Sequence, residues 1–340
     1  MRDFREEYKA FLREYPYKTI EVDSVTIRYQ RGGKEGAPTV LFFHGLEMQE
    51  MWMPYALHFR EKYGFLIYEY PFFTVKLEEQ IEFLRKLLDK LGIEEVILIG
   101  ASDGGVNAQM FAKKYPEMVK AMILATTLTL DSDYIRNIKK KWITGPIMIN
   151  LMKIIPAKIL MKQLIKLSPK FLEYETPENK AYGISFYETV ASDLQYKKRF
   201  IHSYTCVFML RNCEYFKKED FAYLRGKVQI LVPEHDIFKK EDQEILAALF
   251  RDLDARIEDA PGGHVGFIVQ ADAYLEKIDR FLEKVVLLED CVIHEFCRVL
   301  NKRASQYYNA NLHINNRNTT QMRPVNYRLQ LYAKNDSLRT

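Results

Sequence analysis

Apolar and polar positions along the 340-residue chain follow two different spacings. Short β-branched or apolar runs, typical of strands buried in a sheet, are separated by segments with the apolar spacing of amphipathic helices. The pattern predicts eight strands, at residues 19–22, 25–29, 39–43, 66–70, 96–99, 120–125, 227–232 and 255–258. It predicts helices at residues 53–63, 77–91, 106–114, 240–251 and 271–284. Since strands and helices alternate, we expect an α/β fold with a mostly parallel sheet, entered through an antiparallel first pair.

The alternation breaks after the sixth predicted strand, where a long helical stretch rich in Ile, Met, Leu, Tyr, Phe and Lys begins. We therefore predict a core made of residues 1–126 and 220–285, with a helical cap formed by residues 127–219. Residues 286–340 contain no glycine and are predicted to form a helix extension and a basic tail. Whether that tail is disordered or a loosely packed extension is left open.

One stretch carries the clearest chemical signal. Residues 100–105 read GASDGG, between the predicted strand 96–99 and the predicted helix 106–114. A serine in such a turn is strained and exposed at a helix N-terminus, and the flanking glycines let the strand and the helix pass closely. The pattern predicts Ser102 as a nucleophile, with the backbone N–H of Asp103 available to stabilise an oxyanion.

A serine nucleophile needs a base and an acid that orients the base. Asp236 follows the strand 227–232 in the sequence PEHD, and His264 lies in the loop GGHVG after the last strand. Upstream, the strand 39–43 ends in His44-Gly45-Leu46, where a turn makes the N–H of Leu46 a candidate second oxyanion donor. All of these signals fall at the carboxyl edge of a parallel sheet, where ligands bind.

Four signals occur in a fixed order: HG, GASDGG, PEHD and GGHVG. On these motifs, the chain resembles the α/β-hydrolase superfamily from about residue 17 to about residue 284. The resemblance implies an α/β-hydrolase fold with a cap inserted after the sixth strand. It also implies Ser102 as nucleophile, His264 as general base, Asp236 as orienting acid, and Leu46 and Asp103 as backbone donors. The expected reaction is hydrolysis of an ester through an acyl-enzyme, without cofactor or metal.

Other readings of these residues remain open. Asp131 follows an earlier strand and is a rival for the acid position. His44 is expected to shape its loop rather than take part in chemistry. A metal site built from His235, Asp236 and His264 is not favoured, because the chain shows no H-E-x-x-H or paired C-x-x-C spacing.

The loop after the strand 66–70 is short, and here and around GASDGG the chain resembles the maspardin branch of the superfamily. Members of that branch are suspected of binding rather than hydrolysis, because their triads are incomplete. Serine, acid and histidine are all present here, so we expect an enzyme. A non-catalytic binding protein, acyl transfer and carbon-carbon bond hydrolysis are the alternatives. The apolar cap favours a small to medium apolar substrate.

Two features of the cap have alternative explanations. Seven apolar residues either line a substrate pocket or form the cap's own core: Ile147, Met148, Met152, Ile155, Leu160, Met161 and Leu164. Lys158, Lys162 and Lys166 lie four residues apart, which predicts a basic amphipathic helix over residues 157–167. Such a face either lies against an anionic membrane or is simply solvated.

Composition and charge indicate the class of protein, its location and the partners that it does not bind. The chain is 48% hydrophobic and 13% aromatic, as in globular proteins, and residues 1–18 contain no secretory or membrane-spanning run, so we expect a cytoplasmic location. Residues 301–340 carry a net charge of +6 and the other 300 residues a net charge of −2, so the rest of the chain is nearly neutral and predicts no nucleic-acid surface. The oligomeric state is left open. The four cysteines have no zinc spacing and are expected to be reduced thiols: Cys206, Cys213, Cys291 and Cys297.

Overall fold

The computed structural model describes residues 2–141 and 143–285. Eight strands form one sheet: β1 Lys18–Val22, β2 Val25–Gly33, β3 Thr39–Phe43, β4 Gly64–Tyr68, β5 Val96–Ala101, β6 Val119–Ala125, β7 Val228–His235 and β8 Arg256–Gly263. Their order is β1-β2-β4-β3-β5-β6-β7-β8. Strand β2 pairs antiparallel with β1 and β4, and the remaining pairs are parallel. The predicted fold class, an eight-stranded and mostly parallel α/β-hydrolase sheet, is confirmed.

Helices cover both faces of this sheet. The described helices are α1 Phe4–Glu14, α2 Met53–Phe59, α3 Leu77–Lys90, α4 Asp103–Lys114, α5 Asp133–Lys140, α6 Thr144–Ile154, α7 Ala157–Phe171, α8 Pro177–Ser192, α9 Tyr196–Met209, α10 Lys240–Arg251, α11 Gly266–Val269 and α12 at residues 271–285. Five of them, α5 to α9, lie between β6 and β7. The chain therefore does leave the sheet for a helical insertion after the sixth strand.

Alternate residues of each buried strand feed two hydrophobic layers, because successive side chains of a strand point to opposite faces. On one face, Phe42 stacks on Trp52 with ring centroids 4.9 Å apart. On the other face, Phe43 packs against Phe111 of α4. The central strand β3 is fully buried, as its uninterrupted apolar sequence TVLFF indicates.

Several element boundaries differ from the predictions, and one helix was not predicted. Strand β2 continues to Gly33 rather than ending at residue 29, because residues 29–33 pair with β4. Strand β4 starts at Gly64 for the same reason. Helix α1 was not predicted, although Phe4, Tyr8 and Phe11 have helical spacing and are buried. The dense charges of the N-terminal segment masked this apolar stripe.

Some sequence predictions concern residues 286–340, which lie outside the described residues. They include the helix extension, the basic tail, Cys291 and Cys297. Of the described cysteines, Cys206 is a half-buried free thiol and Cys213 is buried. In the described ranges 2–141 and 143–285, no single helix is long and apolar enough to cross a membrane, although α6 and α7 pass that test as a pair bent by 115°.

Candidate active site

Ser102 stands at the turn between β5 and α4, in a strained conformation with φ of 53° and ψ of −131°. The turn is possible because backbone segments approach each other very closely around it. A Cβ on Gly100 would lie 2.7 Å from the Cα of Gly105, and a Cβ on Gly104 would lie 2.2 Å from the carbonyl oxygen of Phe43. Both distances exclude a side chain, so the glycines of GASDGG allow the serine its position.

The structure brings the three predicted triad residues together. Nδ1 of His264 lies 2.7 Å from Oδ1 of Asp236, and Nε2 lies 3.2 Å from Oγ of Ser102. The Asp236 side chain is buried and also accepts hydrogen bonds from the backbone N–H of Phe238 and from Nε2 of Gln243. Because its carboxylate is held from several sides, it can orient the imidazole toward Ser102.

Other candidate residues lie apart from this arrangement. The Asp131 carboxylate pairs with Arg136 at 2.7 Å, so it is Asp236 that faces His264. His44 is buried with its ring stacked on Tyr70, and burial lowers its pKa to about 3, so the ring is neutral. His235 stacks on Tyr174 at the surface.

The loop after β3 differs from the expectation for an open oxyanion hole. The N–H of Leu46 donates to Oδ1 of Asp103 at 2.9 Å, and the Ser203 hydroxyl donates to Oδ2 at 3.2 Å. Burial raises the pKa of Asp103 to about 6, while the hydrogen bonds that it accepts oppose this increase. One predicted oxyanion donor is therefore engaged by the side chain of the residue that carries the other.

Helix α9 holds this loop in place. Leu46 and Glu47 both have positive φ values, of 48° and 52°, which are costly for residues other than glycine. The Tyr196 hydroxyl donates to the carbonyl of Leu46 at 3.0 Å, and Nη1 of Arg199 donates to the carbonyl of Glu47 at 3.2 Å. His202 pairs with the Glu47 carboxylate. One face of a cap helix thus maintains the backbone that positions Leu46.

A second group of polar side chains lies behind this loop. Ligand atoms of Glu47, His202 and Cys206 are within 4.8 Å of one another and could hold a metal ion. Nε2 of His202 donates a hydrogen bond to the carbonyl oxygen of Thr74 at 2.8 Å. Burial alone would lower the pKa of His202, but its contacts with Cys206 and Glu47 raise it above the ordinary value. The sequence pattern did not predict this group, because its one local signal is a histidine and a cysteine four residues apart on a helix.

A cavity of about 240 Å³ opens above Ser102. Its walls come from the loop after β3, from α4 and from the insertion, and they include Leu164, Phe171, Tyr187, Phe200, Tyr204 and Val207. Of the seven cap residues named as pocket candidates, Leu164 lines the cavity. Ile147 and Met148 are 62% and 49% exposed, so these two side chains neither line the cavity nor form the core of the cap.

The insertion also contacts the loop that carries His264. Oε1 of the buried Glu175 accepts a hydrogen bond from the N–H of Gly263 at 3.1 Å, and Oε2 accepts one from Nε2 of Gln270 at 2.7 Å. Because Glu175 follows α7, one segment of the insertion supports the His264 loop while α9 supports the loop after β3. The triad and its covering helices form one connected unit.

Comparison with known proteins fits this arrangement. The family model described as the alpha/beta hydrolase fold matches residues 38–147, from β3 through the Ser102 turn into α6. The chain has the α/β-hydrolase fold. Among solved α/β-hydrolase structures, MGS-M2 from a deep-sea metagenome library superposes with a TM-score of 0.61 at 18% identity, covering 78% of this chain and 97% of that one. The naproxen esterase of Bacillus subtilis superposes with a TM-score of 0.53 at 18% identity, covering 82% and 97%.

Sequence relatives of this chain match over a shorter stretch. Epoxide hydrolase 4 of Homo sapiens is 29% identical over 119 residues, which are 32% of this chain and 33% of that protein. The poly(3-hydroxyalkanoate) depolymerase of Ectopseudomonas oleovorans is 32% identical over 123 residues, which are 33% of this chain and 44% of that protein. The chain thus spans less than half the length of each relative.

Proposed function

We propose that this α/β-hydrolase is a serine esterase that cleaves carboxylic esters of small to medium apolar acyl groups. The observation that carries this proposal is His264, whose two ring nitrogens lie within hydrogen-bond distance of Ser102 and Asp236. Ser102 in turn opens into an apolar cavity of about 240 Å³. A strained serine, a base and a buried acid at the end of an apolar cavity are the parts that acyl transfer requires.

In the proposed reaction, Nε2 of His264 takes the proton of Ser102 while Oγ attacks the ester carbonyl carbon. The tetrahedral oxyanion then faces the backbone N–H groups of Asp103 and Leu46, and the Asp103 side chain must turn away to free the second donor. His264 returns the proton to the departing alcohol oxygen. Water, activated by the same histidine, hydrolyses the acyl-enzyme and restores Ser102.

An ester is favoured over an epoxide, although some relatives carry the name epoxide hydrolase. A serine oxygen that opened an epoxide would remain bound to the product as an ether, which water does not cleave under mild conditions. A serine that attacks a carbonyl forms an ester, which the same histidine can help water to hydrolyse. The depolymerase among the relatives is named for a polyester substrate.

The cavity walls support an apolar acyl group. Among the described lining residues, Asp103 and His264 are the ionisable side chains besides tyrosines, and both belong to the catalytic turn or triad. A charged acyl chain would therefore lose its hydration without gaining a partner of opposite charge, which is costly. Val207→Trp, which fills part of the cavity, should shift the preferred p-nitrophenyl ester toward shorter chains.

A non-catalytic binding function is the second candidate. The hydrogen bond from Leu46 to Asp103 favours it, because a carboxylate that keeps an oxyanion donor occupied opposes catalysis. In that case the cavity would bind an apolar ligand without turning it over. Acyl transfer and carbon-carbon bond hydrolysis would use the same triad and differ in the products formed.

Reaction with a fluorophosphonate probe, followed by peptide mapping, tests the proposal without knowledge of the substrate. We expect labelling of Ser102 in the wild-type protein and in Asp131→Asn, whose side chain lies outside the site. Ser102→Ala and His264→Ala should both lose the label. A folded wild-type protein that is not labelled would contradict the esterase proposal and favour the binding function. A screen of p-nitrophenyl esters then defines the acyl length.

A further inference from the structure

Helix α6 presents an apolar face to solvent. Ile147, Leu151 and Ile154, spaced by four and three residues, are 62%, 54% and 77% exposed, and Met148 beside them is 49% exposed. The opposite side of the helix buries Gly145 and Ile149. Contiguous apolar surface of this kind is uncommon on soluble proteins and marks a site of interaction. We call these four side chains the α6 patch.

Basic residues accompany the patch. Residues 134–172 contain nine Lys or Arg and no Asp or Glu, in a chain whose total excess is only four positive charges. Lys158, Lys162 and Lys166 are exposed along α7, and none of them pairs with an acidic side chain within the described residues. Arg136 is paired, with Asp131 and Asp133. The insertion thus combines exposed apolar side chains with unneutralised positive charge.

The same segment leads to the cavity. Leu164, Leu167 and Phe171 of α7 line the cavity above Ser102, and Leu167 is also 44% exposed. Ile237, beside Asp236, lines the cavity and is 54% exposed as well. An apolar path therefore runs from the outer surface of α7 into the cavity, without a charged side chain among these residues.

We propose that the α6 patch and the outer face of α7 bind the surface of an anionic lipid membrane. Exposed large apolar side chains can enter the boundary between headgroups and acyl chains, and lysines beside them attract acidic headgroups. A second copy of this chain fits less well, because a symmetric interface would place two acid-free basic segments against each other. If the proposed esterase function holds, lipid esters could reach Ser102 along the apolar path.

Binding to sucrose-loaded vesicles tests the docking directly. The full chain carrying Ser102→Ala is used, so that no ester is consumed during the measurement. We expect cosedimentation with vesicles of phosphatidylcholine and phosphatidylserine, much weaker binding to phosphatidylcholine alone, and release by high salt. The triple variant Lys158→Gln, Lys162→Gln and Lys166→Gln should bind about a hundredfold more weakly, at about fivefold per lysine.

Matched variants test whether binding depends on the α6 patch and the α7 lysines, or on exposed lysines and apolar side chains in general. The triple variant Lys34→Gln, Lys62→Gln and Lys239→Gln removes three exposed lysines of the core and should bind as the parent does. Leu151→Ser with Ile154→Ser should weaken binding, whereas Phe73→Ser, at an exposed side chain of the core, should not. Circular dichroism confirms that each variant is folded.

Three results would overturn the docking proposal. The first is equal binding by both lysine triples, and the second is binding that survives high salt and alkaline carbonate, which would indicate a broken membrane span. The third is no vesicle binding by the parent protein. A dimer in sedimentation velocity that Leu151→Ser with Ile154→Ser dissociates would then identify a second copy of this chain as the occupant of the α6 patch. Turnover of a soluble p-nitrophenyl ester by the Ser102-containing protein is measured separately. A protein that turns over the ester without binding vesicles refutes the docking alone, and one that binds without turnover refutes the esterase function alone.

Discussion

The backbone N–H of Leu46 donates to Oδ1 of Asp103 across 2.9 Å. This hydrogen bond joins the loop after β3 to the residue that follows Ser102, and it places a carboxylate where the proposed reaction expects the substrate oxyanion. The Asp103 carboxylate is held on its other oxygen by the Ser203 hydroxyl of α9. In the proposed reaction, the substrate oxyanion therefore competes with the Asp103 side chain for this donor.

Removal of that carboxylate should increase turnover. In Asp103→Ala the N–H of Leu46 is free, so an oxyanion no longer has to displace a charged acceptor. A hydrogen bond to a charged group contributes about 1.5–3 kcal/mol, and we expect kcat on p-nitrophenyl butyrate to rise about tenfold. A steady-state comparison of wild type, Asp103→Asn and Asp103→Ala measures this, with the asparagine variant in between. A decrease in kcat would show that Asp103 orients the loop instead of competing with substrate.

The same residue should make stability depend on pH. Burial raises the pKa of Asp103 to about 6, so ionisation costs more in the folded protein than in the unfolded chain. The folded protein favours the protonated carboxyl, so Asp103 contributes most to the free energy of unfolding below the ordinary pKa of an aspartate. This contribution is lost as the pH rises through about 6. The Tm of Asp103→Asn relative to wild type should therefore increase from about pH 4 to about pH 7. A constant difference in Tm across this range would contradict the raised pKa.

Kinetics can decide between Asp236 and Asp131, the two candidates for the acid partner of His264. Asp236 contacts His264, whereas Asp131 pairs with Arg136. Asp236→Asn should reduce kcat on the order of ten-thousandfold, because the imidazole loses the group that holds its reactive tautomer. Asp131→Asn should leave kcat close to wild type. Similar losses in both variants would refute the assignment of Asp236 as the acid partner.

The support of the loop by α9 can be tested at Tyr196. This buried hydroxyl donates to the carbonyl of Leu46, whose φ is positive. Tyr196→Phe should cost about 1 kcal/mol of stability and lower kcat more than it raises KM, since oxyanion donors act in the transition state. Tyr187→Phe, in the wall of the cavity, is the matched control. If the two variants change kcat and KM alike, Tyr196 has no positioning role.

Much of this protein could be predicted from local pattern. Uninterrupted apolar runs such as TVLFF predict the buried strands. The glycines around Ser102 are required by steric limits that apply within a few residues. Ser102, Asp236 and His264 were found because each follows a predicted strand, and the ends of parallel strands meet at one edge of the sheet. The predicted order and direction of the strands were therefore sufficient to predict that these three residues lie close together.

Tertiary structure decided what depends on side-chain direction. The sequence could not show that the Asp103 carboxylate turns toward Leu46, because a rotamer depends on partners that arrive from α9, a hundred positions away in the case of Ser203. It also could not separate Leu164, in the cavity, from Ile147, in solvent, because both are apolar positions of helices whose inward face is set by packing. Apolar spacing along a chain determines which elements form. The contacts between those elements determine which donor is occupied, which acid faces the histidine, and which surface is left exposed.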